Sequence, residues 1–176
     1  MYATGNHEVA LDAMGGDNAP GELVKGAVDA VNGRSDIKVL LVGQQDVVEK
    51  ELKQYSYPKE QIEVVHAEEV IETAEPPVNA IRKKKQSSIV VGMNMVKQKE
   101  ADAFVSAGSS GAILVGGQVI VGRIRGIEET AFGTIDSYGK GSLFIDRLWC
   151  ERRCEGITSG SVCKDGIHLY GKCSWN

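Results

Sequence analysis

Two glycine-containing turns carry residue types that suit the binding of an anion. The first reads DAMGGD (residues 12–17) and the second SAGSSGA (residues 106–112). Glycines let backbone N–H groups approach an anion, and a helix after such a turn adds its positive end. The serine hydroxyls of the second turn are further donors. The two turns therefore predict a phosphate or carboxylate cradle, and neither has the GxGxxG or GxxxxGK[ST] pattern of a dinucleotide site or a P-loop.

Single residues in these turns have simpler explanations that stay open. Asp12 and Asp17 could hold a metal, orient a lysine or cap the following helix, and capping is the ordinary role for Asp17. Asp12 ends an apolar run, which makes it the stronger functional candidate of the two. The serines of the second turn could serve only as a helix N-cap.

The surrounding sequence alternates between strand and helix patterns. Apolar, β-branched runs predict strands at 8–12, 37–43, 62–67 and 101–108. Helical patterns follow Pro20 as far as Gly33 and span 45–54, 78–98 with a break near Ser87-Ser88, and 112–122. Such alternation predicts an α/β fold with a mainly parallel sheet covered on both faces. Both glycine turns would then lie at the carboxyl ends of strands, where ligands of such sheets collect.

Composition narrows the classes of function. The net charge is −4 and the pI about 5.5, so a nucleic-acid partner is not expected. No apolar run is long enough to cross a bilayer, and residues 1–16 lack the pattern of a signal peptide. We therefore expect a cytoplasmic protein.

Three motifs together resemble a known family. VALDAMGGDNAP, NAIRKKKQSSIVVGMNMVKQKEADAFVSAGSSGA and GRIRGIE are similar to segments of the bacterial phosphate acyltransferase of phospholipid synthesis, the PlsX family. The resemblance runs from about residue 8 to 127. It implies transfer of a fatty acyl group from acyl carrier protein to inorganic phosphate. We expect no cofactor and assign no metal ligands. It also implies a three-layer α/β/α sandwich related to isocitrate and isopropylmalate dehydrogenases, which is usually dimeric and can associate peripherally with the membrane.

The resemblance implies roles for residues of both turns and of the basic run Arg82–Lys85. The expected catalytic residues are Asp12, Lys84 and Ser109. The residues expected to bind phosphate are Met14, Gly15, Gly16, Asp17, Gly108, Ser110 and Gly111. The basic run would meet the acidic carrier protein, although such a run is more commonly a solvated helix face.

The family pattern is expected to end near Ile127, so the chain divides into 1–127, the amino-terminal part of the acyltransferase domain, and 128–176. A shift of one base lets codons for Leu148–Arg152 spell Cys-Gly-Ala-Asn, a family segment, and neighbouring stretches permit others in the expected order. We therefore predict a frameshifted tail without native fold, in a truncated form that is inactive.

Four cysteines lie in this tail: Cys150, Cys154, Cys163 and Cys173. Their spacing lacks the C-x2-C unit of common zinc sites, and a changed reading frame would leave them without a ligand role. Two alternatives remain open. One is a phosphotransacetylase-like or dehydrogenase-like enzyme of the same sandwich fold, and the other is a non-enzymatic zinc-binding module fused to half an α/β domain.

Overall fold

The first part of the chain contains four strands and five helices, with at least one helix between each strand and the next. A computed structural model describes residues 7–123, 133–138 and 142–148. The strands are β1 (His7–Asp12), β2 (Ile37–Gly43), β3 (Ile62–His66) and β4 (Ala103–Val105). The helices are α1 (Gly21–Gly33), α2 (Gln45–Leu52), α3 (Pro77–Lys83), α4 (Ser88–Gln98) and α5 (Ser110–Gly116), and α5 continues into a π-helical segment at Gly117–Val121.

The four strands form one parallel sheet in the order β3-β2-β1-β4. Leu11 of β1 lies opposite Leu41 of β2 and Val105 of β4. Because β1 and β4 are parallel neighbours, Asp12 and the residue after Val105 emerge side by side. The carboxyl end of each strand leads into one of the two glycine turns.

Helices cover both faces of this sheet. On one face α1 and α2 pack against β2, with Val24, Val28 and Val48 buried over Leu41. On the other face α4 packs on Ala10, Leu40 and Val42, α5 packs on α4, and α3 packs on α5. This arrangement confirms the predicted α/β sandwich with a parallel sheet for the part of the chain that the structure describes.

The predicted break between two helices lies between α3 and α4. The Ser87 side chain caps α4, since its Oγ accepts the Val90 N–H at 3.4 Å and donates to the Lys84 carbonyl at 2.9 Å. Ser87 is fully buried. Without this capping hydroxyl, the Val90 N–H in the first turn of α4 would be left unsatisfied.

A separate antiparallel pair joins β5 (Gly133–Tyr138) and β6 (Ser142–Leu148), with Ile135 opposite Ile145. These strands lie in the segment where the sequence predicts no native fold. All four cysteines lie outside the described residues. Within the described part, no helix is both long and apolar enough to span a membrane.

Candidate functional site

Asp12 joins the two glycine turns at the carboxyl edge of the sheet. Its Oδ2 accepts a hydrogen bond from the Ser106 hydroxyl at 2.7 Å, and its Oδ1 accepts the Met14 N–H at 3.0 Å. The carboxyl group is buried, with 1% of the residue exposed. Ser106 Oγ in turn accepts the Gly108 N–H at 3.0 Å. One buried carboxylate therefore connects backbone groups of both turns.

The two turns approach so closely that a side chain does not fit between them. A Cβ on Gly15 would lie 2.5 Å from Asp12 Oδ2 and 2.8 Å from the Gly108 nitrogen. Gly16 has a φ of +97°, a backbone conformation that residues with a Cβ rarely adopt. These two positions require glycine for different reasons, the first because of contact and the second because of its dihedral angle.

Neighbouring elements hold each turn in place. The Ala13 N–H donates to the Val42 carbonyl at 2.9 Å, and the Met14 side chain lies over the end of β2, where a Cβ on Gly43 would be 2.9 Å from Met14 Cγ. A Cβ on Gly111 would lie 2.6 Å from Pro77 Cγ, so the second turn packs against the start of α3. The two turns are therefore held in place by contacts with β1, β2, β4 and α3.

The structure brings together most of the residues predicted for phosphate binding. Met14, Gly15 and Gly108 meet around Asp12, and a Cβ on Gly16 would lie 3.3 Å from the Ala107 side chain. Ser110 is exposed just beyond them. The N–H groups of Met14 and Gly108 already donate within the protein. Asp17 is exposed, and α1 begins after Pro20 without a side-chain cap, so Asp17 does not have the ordinary capping role.

Ser109 and Lys84 make contacts that are structural in kind. Ser109 is 2% exposed, and its Oγ accepts the Ala112 N–H at 3.4 Å as the N-cap of α5. The Lys84 ammonium donates to the Glu75 carboxylate and to the Val70 carbonyl, so these contacts fold the 70–75 segment back onto α3. The hydrogen bond from Lys84 lowers the pKa of Glu75 below its usual value. Their predicted catalytic roles stay predictions.

Ser106 is the site residue that sequence reasoning did not single out. It belongs to the second turn, but the hydroxyls chosen there were those of Ser109 and Ser110. The signal that would have found it is the register of the sheet, because Leu11 opposite Val105 places the next residues, Asp12 and Ser106, side by side.

No group of three or more His, Cys, Asp or Glu residues within the described part is arranged to hold a metal ion. The side-chain and backbone groups that converge at the turns are instead N–H groups, hydroxyls and one carboxylate. Together with the parallel sheet, they define an α/β protein whose candidate site lies at the carboxyl ends of neighbouring strands.

Comparison with known proteins identifies the family. The profile of the family described as "Fatty acid synthesis protein" matches residues 7–147. Proteins named "Phosphate acyltransferase" are similar to the chain. The one from Alkaliphilus oremlandii is 49% identical over 140 residues, which are 79% of this chain and 42% of the relative. That from Clostridium beijerinckii is 47% identical over 165 residues, 94% of this chain and 50% of the relative. The chain therefore belongs to the phosphate acyltransferase (PlsX) family.

These matches cover only part of each relative, and they reach beyond the segment in which the sequence motifs lie. The chain spans half or less of the length of the relatives from A. oremlandii and C. beijerinckii. The family match also continues to residue 147 in the present reading frame, beyond the expected end of the resemblance at Ile127. The division of the chain at residue 128 and the frameshifted tail stay predictions.

Proposed function

We propose that the whole protein transfers a fatty acyl group from acyl carrier protein to inorganic phosphate, giving acyl phosphate for phospholipid synthesis. Membership in the family and the name "Phosphate acyltransferase" of its relatives support the reaction class. The observation that carries the proposal is the Asp12–Ser106 hydrogen bond of 2.7 Å, because it holds two glycine turns together at one edge of the sheet. For this chain alone we expect phosphate binding without turnover.

The reaction needs no side-chain nucleophile. An oxygen of hydrogen phosphate bonds to the thioester carbonyl carbon, the carbon–sulfur bond breaks, and the sulfur leaves as a thiolate that takes up the proton given up by the phosphate. The protein must hold phosphate in place and stabilise the carbonyl oxygen as it gains negative charge. In this proposal the N–H groups and hydroxyls of the turns, around Gly15, Gly16, Ser110 and Gly111, supply those donors.

Asp12 has a positioning role in this proposal. Both of its carboxylate oxygens accept hydrogen bonds from the turns, which leaves phosphate to be bound by the donors that the turns present outward. A carboxylate pointing at phosphate would repel it, whereas one that is satisfied from within the protein organises donors for the anion.

Binding of small molecules by the chain tests the proposal against its enzymatic alternatives. We expect isothermal titration calorimetry to detect phosphate binding at constant ionic strength, and to detect none for acetyl-CoA or NAD. Sodium chloride replaces phosphate in the matched control, because it tests for a general salt effect. Binding of acetyl-CoA or NAD without phosphate binding would contradict the proposal. It would favour a phosphotransacetylase-like or a dehydrogenase-like enzyme instead.

The basic run at the end of α3 is the proposed docking surface for acyl carrier protein. Lys84 is paired with Glu75, but Arg82, Lys83 and Lys85 are exposed. Three exposed cations on a chain of net charge −4 favour encounter with an acidic partner at this place. The usual dimer and a peripheral contact with the membrane remain proposals that follow from the family alone.

Neutralising the three exposed cations tests the docking surface. The triple variant Arg82→Gln/Lys83→Gln/Lys85→Gln is expected to bind acyl carrier protein about tenfold more weakly at low salt, with the difference shrinking as salt rises. Surface plasmon resonance across a salt series measures both effects.

A variant with the same change in charge provides the control. Three exposed lysines lie on and after α2: Lys50, Lys53 and Lys59. Replacing these three lysines by glutamine lowers the net charge by the same amount as the first triple variant. It therefore controls for the effect of net charge on affinity. Equal losses of affinity in the two triple variants would show that net charge, rather than the end of α3, governs the interaction.

A further inference from the structure

Ser106 occupies the point where the two glycine turns are connected. It is half-buried and directly follows β4, while Asp12 ends the neighbouring strand β1. Its hydroxyl donates to Asp12 Oδ2 at 2.7 Å and accepts the Gly108 N–H at 3.0 Å. The same hydroxyl therefore donates to Asp12, which also binds the first turn, and accepts from the backbone of the second turn.

The direction of these hydrogen bonds is set by chemistry. An ionised carboxylate can only accept, and a backbone N–H can only donate, so a group between them must do both. A hydroxyl does this with a single atom, whereas alanine does neither. A Cβ on Gly108 would lie 3.2 Å from Ser106 Oγ and 3.3 Å from Asp12 Oδ2, which shows how closely the second turn folds onto this pair.

We propose that Ser106 is a positioning residue, which fixes the second glycine turn against Asp12 and so presets the spacing of the donors that receive phosphate. The inference rests on the proposed function for the identity of the anion. It assigns Ser106 no contact with phosphate. Its effect is transmitted through the Gly108 N–H, which the Ser106 hydroxyl holds, to the exposed Ser110 and the half-buried Gly111 further along the same turn.

Removal of the hydroxyl has two expected effects. Ser106→Ala leaves the Gly108 N–H and one oxygen of Asp12 without their partner, so amide hydrogen exchange at Gly108 becomes at least about tenfold faster. Because the second turn is then free to shift, phosphate binding weakens by about tenfold or more. Ser106→Thr keeps the hydroxyl and restores both properties.

Two further variants separate positioning from a general loss of stability. Ser87→Ala removes another serine hydroxyl with a capping role, fully buried and in the α3–α4 connection. It is expected to leave both Gly108 exchange and phosphate affinity unchanged. Asp12→Asn weakens the same link from the other side, because its amide has one acceptor oxygen for the two donors that Asp12 satisfies, and it should accelerate Gly108 exchange as Ser106→Ala does.

The test is exchange measured by NMR on the whole chain, with phosphate affinity measured by calorimetry on the same samples. Faster Gly108 exchange and weaker phosphate binding in Ser106→Ala, both recovered in Ser106→Thr, support the inference. Faster exchange with unchanged phosphate affinity overturns it, as does unchanged exchange. If the wild-type chain binds no phosphate, the proposed function fails, and Gly108 exchange still decides whether Ser106 holds the turn.

Discussion

Asp12→Ala is expected to destabilise the chain by about 2–4 kcal/mol, because it leaves both the Ser106 hydroxyl and the Met14 N–H without their acceptor in a buried place. Phosphate binding should fall below detection, since the two turns are no longer connected. Chemical denaturation measures the free energy of unfolding, and calorimetry measures the affinity.

Asp12→Asn distinguishes positioning from simple electrostatics. If Asp12 mainly repels phosphate, the neutral amide would strengthen phosphate binding. If Asp12 organises the turns, as we propose, the amide weakens it, because one acceptor oxygen replaces two and the Ser106 hydroxyl and the Met14 N–H can no longer both be satisfied. Stronger phosphate binding by Asp12→Asn than by wild type would contradict the positioning role.

Gly15→Ala is the second large expected effect. The added methyl would lie 2.5 Å from Asp12 Oδ2 and 2.8 Å from the Gly108 nitrogen, so the turns must separate. We expect a loss of about 2–3 kcal/mol in the free energy of unfolding, as for other overpacked sites, together with loss of phosphate binding. Thermal and chemical denaturation give the first quantity, and calorimetry gives the second.

Gly26→Ala is the matched control for this glycine. Gly26 lies within α1, where a Cβ would meet nothing within 4 Å. Alanine there should stabilise the helix by up to about 1 kcal/mol, because it lowers the backbone entropy of the unfolded chain. If Gly15→Ala lowered the free energy of unfolding no more than Gly26→Ala does, that result would contradict the close approach of the two turns.

The local elements of the fold could be predicted from sequence where the pattern was strong. The run IKVLLVG predicted β2 at its observed bounds, since a β-branched apolar segment closed by glycine fits a buried parallel strand. The strand predicted at 101–108 is shorter, because Ala103–Val105 alone pairs with β1. Just before it, Asp102 still bonds to Glu8 of β1: its backbone N–H donates to the Glu8 carbonyl at 2.7 Å, and its carboxylate accepts the Glu8 N–H at 3.0 Å.

The candidate site was predictable in position but not in its connections. Glycine turns at strand ends are visible in a sequence, and so are Asp12 and the serines. The Asp12–Ser106 hydrogen bond joins residues 94 positions apart, and it follows from a strand order that sequence periodicity does not contain. The contact of Lys84 was not predictable either. In the sequence Lys84 is one member of a basic run, whereas in the structure its ammonium group pairs with the Glu75 carboxylate.

The place where phosphate binds tests the central claim most directly. In a titration of the chain with phosphate, followed through backbone amide resonances, we predict the largest shifts at Gly15, Gly16, Ser110 and Gly111. A second place offers lysines and a cavity, at the amino ends of β2 and β3 beside Lys38 and Lys59. Largest shifts there, with the two glycine turns unmoved, would contradict the assignment of the turns as the phosphate site.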